Sequence, residues 1–142
     1  MKIVLDTNVL ISGIFFSGPP HLILRAWREG GVDLALSQEI FKEYSQTARI
    51  LAESYPLVDL HALLLLIERE AEFYEVQPLP AQVCSDPEDD KFLACALASQ
   101  AESIVSGDKH LLRVSGFQGI QVLRPRAFVE AYLLEEEADH GG

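Results

Sequence analysis

Hydrophobic and polar positions along the chain form short apolar runs that alternate with longer amphipathic segments. The apolar runs at residues 2–5, 32–36, 103–106 and 120–123 predict strands, with a further short strand at 74–76. The amphipathic segments predict helices at about 21–29, 38–53, 59–73, 86–100, 109–113 and 125–134. Between the first strand and the first helix, Gly13, Gly18 and the Pro19-Pro20 pair predict a loop.

Strands that alternate with helices predict an α/β fold with a parallel sheet covered on both faces. The length of 142 residues suits one domain with its own core, and the sequence contains no repeat or domain boundary. We therefore expect one domain over residues 1–134, followed by an acidic, flexible tail over 135–142. In a sheet of this kind, the functional crevice lies beyond the carboxyl ends of the strands.

The composition indicates a cytoplasmic protein with an acidic surface. The N-terminal segment lacks the apolar stretch of a signal peptide, and Asp59 and His61 interrupt the longest apolar run, so we expect no membrane segment. Two cysteines without zinc-site spacing fit a reduced compartment. The formal net charge of −11 argues against a nucleic-acid partner, because such proteins usually carry a basic surface.

Two of the predicted strands deliver an aspartate to the open end of the sheet. Asp6 ends the first strand, and Asp108 follows the strand at 103–106 after one glycine. Each residue alone could be an ordinary turn aspartate that bonds nearby backbone amides. If the two strands are neighbours, the two carboxylates meet.

The stretch SDPEDDKFLA at residues 85–94 contains four acids. Asp86 as N-cap, Pro87 at the first helical position, and Glu88 and Asp89 in the first turn are all explained by helix energetics. Asp90 lies further into the helix, where the dipole benefit fades, so we expect it to face a ligand. Because Asp89 is adjacent, either of the two aspartates can be the functional one.

Glu43 lies one turn after Glu39 on a predicted helix, a like-charge spacing that helix stability does not favour. It is either a solvated residue or a fourth acid of the same site. Four converging carboxylates would repel one another unless a cation neutralised them, and oxygen ligands suit hard divalent ions such as Mg²⁺. A site of this kind hydrolyses phosphodiesters, and its metal attracts phosphate despite the acidic surface.

Four blocks of the sequence resemble the PIN-domain family of metal-dependent ribonucleases, and in particular its branch of toxins from toxin–antitoxin pairs. They are VLDTNVLIS at 4–12, SQEIFKEY at 37–44, DPEDDKFLACALA at 86–98 and IVSGDKHLL at 104–112, in the family's order. The resemblance implies a three-layer α/β/α sandwich with a mainly parallel sheet, a Mg²⁺ or Mn²⁺ site, and endonuclease cleavage of single-stranded RNA. It also implies an antitoxin protein as partner and a homodimer.

The resemblance assigns roles to individual residues. The family's four catalytic and metal-binding acids correspond to Asp6, Glu43, Asp90 and Asp108. Secondary site positions of the family correspond to Thr7, Asn8 and Ser106, and Asp89 is a further secondary candidate because it adjoins Asp90. His110 stands where related sequences often have another aspartate.

Two further interpretations concern other residues and other functions. Five basic side chains near the acids are either phosphate contacts or surface residues, namely Lys42, Arg49, Lys91, Lys109 and His110. A non-catalytic RNA- or protein-binding module is the alternative to a nuclease: the four acids favour the nuclease, and the net charge favours the module. The absence of a GxxxxGK[ST] motif excludes a P-loop NTPase.

Overall fold

Five parallel strands form the central sheet of the protein, in the order β3-β2-β1-β4-β5. A computed structural model describes residues 1–134. The strands are β1 (Lys2–Leu5), β2 (Asp33–Leu36), β3 (Glu72–Phe73), β4 (Ser103–Val105) and β5 (Gln121–Leu123). The chain builds the sheet outward from β1 to β3 and then returns to the other side of β1 with β4, so the order reverses between β1 and β4.

Seven α-helices connect and cover the strands within the described residues. They are α1 (Thr7–Phe15), α2 (Pro19–Arg28), α3 (Gln38–Ala52), α4 (Leu60–Glu70), α5 (Asp90–Ser99), α6 (Lys109–Leu112) and α7 (Pro125–Phe128). Single 3₁₀ turns lie at Pro87–Asp89 and Phe117–Gly119, and a π-helical turn at Val129–Leu133 follows α7. The predicted N-cap Ser37 is confirmed, because its Oγ accepts a hydrogen bond from the Ile40 N–H at 3.1 Å.

The core lies between the sheet and the helices. The strands β1 and β4 are almost fully buried, as parallel strands covered on both faces must be. Helix α5 packs against β1, β2 and β4, while α1 contacts α2 and α3, and α2 contacts α7. The predicted α/β/α sandwich with a parallel sheet is confirmed.

The prediction of a loop between the first strand and the first predicted helix is wrong, because Thr7–Phe15 is helical and Pro19-Pro20 begin α2. Gly13 is not part of a turn: it is buried inside α1 at a close approach to α2. A Cβ atom at this position would lie 2.8 Å from the Pro20 carbonyl oxygen. The glycine therefore allows two helices to pack closely and does not end a helix.

Three other predictions concern the ends of elements, membrane segments and the tail. The short strand expected at 74–76 lies instead at Glu72–Phe73. No single helix among residues 1–134 is long and apolar enough to cross a membrane. Helices α1 and α2 together have the length and composition of a membrane span, but the chain bends by 89° between them. Buried side chains of both helices belong to the core. The acidic tail predicted over 135–142 lies outside the described residues.

Candidate functional site

The carboxyl ends of β1 and β4 meet at the point where the strand order reverses. Leu5 pairs with Val105 at the ends of the two strands, so the next residues, Asp6 and Ser106, are neighbours. In parallel α/β sheets, this reversal opens a crevice in which ligands bind. The fold therefore places Asp6 at the position that the strand pattern predicted.

Ser106 joins the two predicted strand-end acids. Its side chain is fully buried, and its Oγ donates a hydrogen bond to Asp6 Oδ2 at 2.6 Å. The same Oγ accepts a hydrogen bond from the backbone N–H of Asp108 at 2.9 Å. The hydroxyl thus orients the Asp6 carboxylate and fixes the backbone that carries Asp108.

The Asp108 side chain also begins a helix. Its Oδ1 accepts a hydrogen bond from the backbone N–H of His110 at 2.7 Å, which caps α6. The His110 ring is half-buried, and its Nδ1 has no hydrogen-bond partner among the described residues. Asp108 is therefore both a capping residue and a carboxylate at the end of the sheet, so its two possible roles are compatible.

Asp90, the predicted third acid, is bonded to the backbone of a neighbouring loop. Both carboxylate oxygens of Asp90 accept backbone hydrogen bonds, Oδ2 from Val83 N–H at 2.9 Å and Oδ1 from Cys84 N–H at 2.7 Å. These bonds hold the loop that precedes α5. Two backbone donors therefore give Asp90 a structural role in that loop, and its role as a metal-binding acid stays a prediction.

Asp89, the neighbour of Asp90, has no comparable hydrogen bonds to the backbone among the described residues. It lies in the 3₁₀ turn before α5, its exposed fraction is 8%, and Oδ2 is buried without a hydrogen-bond partner among the described residues. A buried carboxylate oxygen without a donor is unfavourable unless a ligand satisfies it. Asp89, the alternative to Asp90 in the sequence, is thus the better candidate.

Burial and mutual repulsion act on the acids of the site. Burial raises the pKa of Asp89 to about 7, and the charges of Asp108, Asp86 and Asp6 add to the effect. Burial also raises the pKa of Asp6, with contributions from Asp108 and Glu43, while the hydrogen bond from Ser106 opposes this increase. The charge of Asp108 therefore disfavours the ionisation of both Asp6 and Asp89.

Glu43 reaches the site from α3, but its carboxylate has partners. The Thr7 hydroxyl donates a hydrogen bond to Glu43 Oε2, and Lys91 Nζ lies 2.7 Å from Oε1. Lys91 has an 8% exposed side chain and a longer ion pair to Glu88 at 3.4 Å. Lys91 is therefore the cation of a largely buried ion pair, which neither interpretation from the sequence included.

The remaining predicted residues lie at the surface of the protein. Asn8 is exposed on α1, and its backbone N–H partly offsets the raised pKa of Asp6. Lys42, Arg49 and Lys109 are exposed. The pairing of Lys91 with Glu43 had no signal in the sequence, since 48 positions separate the two residues.

The donor set fits a hard divalent cation in its chemistry. The available ligands are carboxylate oxygens, and Asp89 Oδ2 is a buried acceptor without a donor among the described residues. Within residues 1–134, no group of three or more His, Cys, Asp or Glu side chains is arranged to hold a metal ion by itself. Mg²⁺ does not require a complete set of protein ligands, because it usually keeps several waters and takes part of its coordination from substrate phosphates.

Comparison with known proteins identifies the family. A family model described as "PIN domain" matches residues 2–110, which includes Asp6, Glu43, Asp89 and Asp108. PIN domains are generally nucleases and typically use divalent metals. No curated protein sequence matches the chain.

Proposed function

The chain belongs to the PIN-domain family, and from this premise we propose that it is a metal-dependent endoribonuclease that cleaves single-stranded RNA. One observation carries the proposal. Asp6 and Asp108 follow β1 and β4 where the strand order reverses, and Asp89, on whose carboxyl their charges act, has a buried oxygen without a partner among the described residues. Structural stability alone gives no reason to bury such a group next to two other acids.

In this proposal, Asp6, Asp89 and Asp108 would hold Mg²⁺ or Mn²⁺. When bound, the ion supplies charge neutralisation and Lewis-acid activation of water and of the phosphoryl group. Ser106 holds two of these acids in position. Its hydroxyl orients Asp6 through a hydrogen bond of 2.6 Å and positions the backbone of Asp108 through a hydrogen bond of 2.9 Å. Water attacks the phosphorus in line, so we expect no covalent enzyme intermediate.

The finer biological role follows from the resemblance to toxins. We propose that the chain is the toxin of a toxin–antitoxin pair, that it acts in the cytoplasm as a homodimer, and that an antitoxin protein binds it. Induced expression in a bacterial host should arrest growth, and Asp6→Asn should relieve the arrest at equal protein level. Light scattering on the purified protein measures the oligomeric state directly, and a monomer would contradict the dimer.

The test of the activity is cleavage of an end-labelled single-stranded RNA by the purified protein with Mg²⁺, Mn²⁺ or EDTA. We expect cleavage with either metal, none with EDTA, and little cleavage of duplex RNA or single-stranded DNA. Asp6→Asn should abolish cleavage, and Glu53→Gln, which changes an exposed acid at the end of α3, should leave it unchanged. Cleavage that persists in EDTA would contradict the proposal.

A second candidate function is a non-catalytic module that binds protein. The formal net charge of −11 opposes RNA binding, and a groove of about 400 Å³ beside Lys91 combines apolar walls, including Val76 and Leu79, with the acidic Glu88. Such a surface suits a basic, partly apolar peptide better than a phosphate backbone. Titration with Mn²⁺ separates the two functions, because the module predicts no binding at millimolar metal.

A further inference from the structure

Glu43 differs from the other acids of the site because both of its oxygens are engaged. Lys91 Nζ lies 2.7 Å from Oε1, and the Thr7 hydroxyl donates to Oε2. The side chain of Lys91 is 8% exposed, and its ammonium also lies 5.5 Å from the centre of the Phe92 ring. A cation that is held inside the protein in this way is a fixed part of the site.

The three aspartates have no such counter-charge among the described residues. The described hydrogen bonds of Lys91 go to Glu43 and Glu88, and none goes to Asp6, Asp89 or Asp108. Asp89 Oδ2 is buried without a hydrogen-bond partner among the described residues, and Asp6 and Asp108, at the neighbouring ends of β1 and β4, are linked through the Ser106 hydroxyl. The acids therefore divide into a neutral Glu43–Lys91 pair and three aspartates without a described counter-ion.

We propose that Lys91 takes Glu43 out of metal coordination, so that the chain binds one divalent cation, on Asp6, Asp89 and Asp108. Lys91 supplies the positive charge that a second metal ion would otherwise bring to Glu43. This inference rests on the proposed metal-dependent function. It makes Lys91 a positioning residue, because it acts on the site through Glu43.

Removal of the lysine charge should release Glu43 for coordination. In Lys91→Met, a partly buried carboxylate loses its counter-ion, and an unpaired buried charge is costly. A second divalent ion can then bind between Glu43 and the aspartates. In the double variant Glu43→Gln/Lys91→Met, the neutral pair is removed as a whole, so the net charge of the site is unchanged.

The experiment is isothermal titration of the full metal-free chain with Mn²⁺, with the bound ions counted in parallel by electron paramagnetic resonance. We expect one Mn²⁺ per chain in the wild type, two in Lys91→Met, and one in the double variant. The dissociation constant of the double variant should stay within about threefold of the wild type, since the two lost charges cancel each other. Lys42→Met and Glu53→Gln, at exposed positions on and beside α3, are matched controls and should behave as the wild type.

Several results would overturn the inference. Glu43 would be a ligand if the wild type bound two Mn²⁺ ions, or if the double variant lost affinity by about tenfold or more. Lys91 would have no influence on coordination if Lys91→Met bound only one ion. If Lys91→Met does not fold by circular dichroism, the double variant decides by itself. Failure of the wild type to bind Mn²⁺ at all would overturn the proposed function and this inference together.

Discussion

The adjacent residues Asp89 and Asp90 should respond in opposite ways to the same isosteric change, Asp→Asn. Asp90 accepts hydrogen bonds from Val83 N–H at 2.9 Å and Cys84 N–H at 2.7 Å. An asparagine offers one acceptor oxygen and one NH₂ group, so one backbone N–H would face another donor. Because each hydrogen bond to a charged group contributes about 1.5–3 kcal/mol, we expect Asp90→Asn to lower the free energy of unfolding by about 2–4 kcal/mol.

Asp89→Asn should stabilise the protein near neutral and basic pH. Burial, together with Asp108, Asp86 and Asp6, raises the pKa of Asp89 from 3.8 to about 7. Because the folded state holds this proton more tightly than the unfolded state, ionised Asp89 destabilises the fold above about pH 7, and the effect disappears below about pH 4. A tenfold change in proton affinity corresponds to about 1.4 kcal/mol, and after screening we expect a gain of about 1–2 kcal/mol at basic pH.

Urea unfolding followed by circular dichroism measures both effects. The titrations are made in EDTA at about pH 8 and about pH 4, where Asp89 is ionised and protonated respectively. Glu53→Gln is the control for the loss of an exposed charge. A neutral effect of Asp90→Asn, or a loss of stability in Asp89→Asn at the higher pH, would refute the assignment of the two residues.

Three further predictions concern the supports of the site and its metal. Ser106→Ala removes the buried hydroxyl between Asp6 Oδ2 and the Asp108 N–H, and the free energy of unfolding in urea should fall by about 1–3 kcal/mol; an unchanged midpoint would show that the link is unimportant. Tyr44→Phe removes a hydrogen bond from a fully buried hydroxyl to the Leu5 carbonyl, and the same measurement should show a loss of about 1–2 kcal/mol without a change in Mn²⁺ affinity. Mg²⁺ at about 100 times its dissociation constant should stabilise the wild type by about 2.7 kcal/mol in thermal unfolding but should not stabilise Asp6→Asn.

Most of the sheet was predictable from the sequence because its signal is local. A buried parallel strand needs a short apolar run, and the runs at 2–5 and 103–106 have no competing explanation. Helix α1 was missed because it is apolar on most sides and contains Gly13, which is a turn signal when it is considered alone. The reason for this glycine is its contact with the Pro20 backbone, which depends on the packing of two helices.

The site was predictable in outline and not in detail. The positions of Asp6 and Asp108 were predictable because both residues follow strands, and the carboxyl ends of parallel strands lie at the same edge of the sheet. The choice between Asp89 and Asp90 depended on the 3₁₀ turn that precedes α5 and on a loop whose N–H groups bind Asp90. The ion pair of Lys91 with Glu43 joins residues 48 positions apart, and no helical spacing indicates a contact of that kind.

The most direct test of the assigned site is the rate of RNA cleavage by Asp89→Asn in the presence of Mn²⁺, with the enzyme in excess over a labelled single-stranded RNA. The protein is predicted to be folded and, in metal-free buffer near pH 8, more stable than the wild type, so a loss of activity cannot be due to unfolding. If Asp89 holds the ion together with Asp6 and Asp108, the rate should fall by about 100-fold or more, since changes to the outer partners of metal ligands alone cost about 10–100-fold. A rate within about threefold of the wild type would contradict the assigned site.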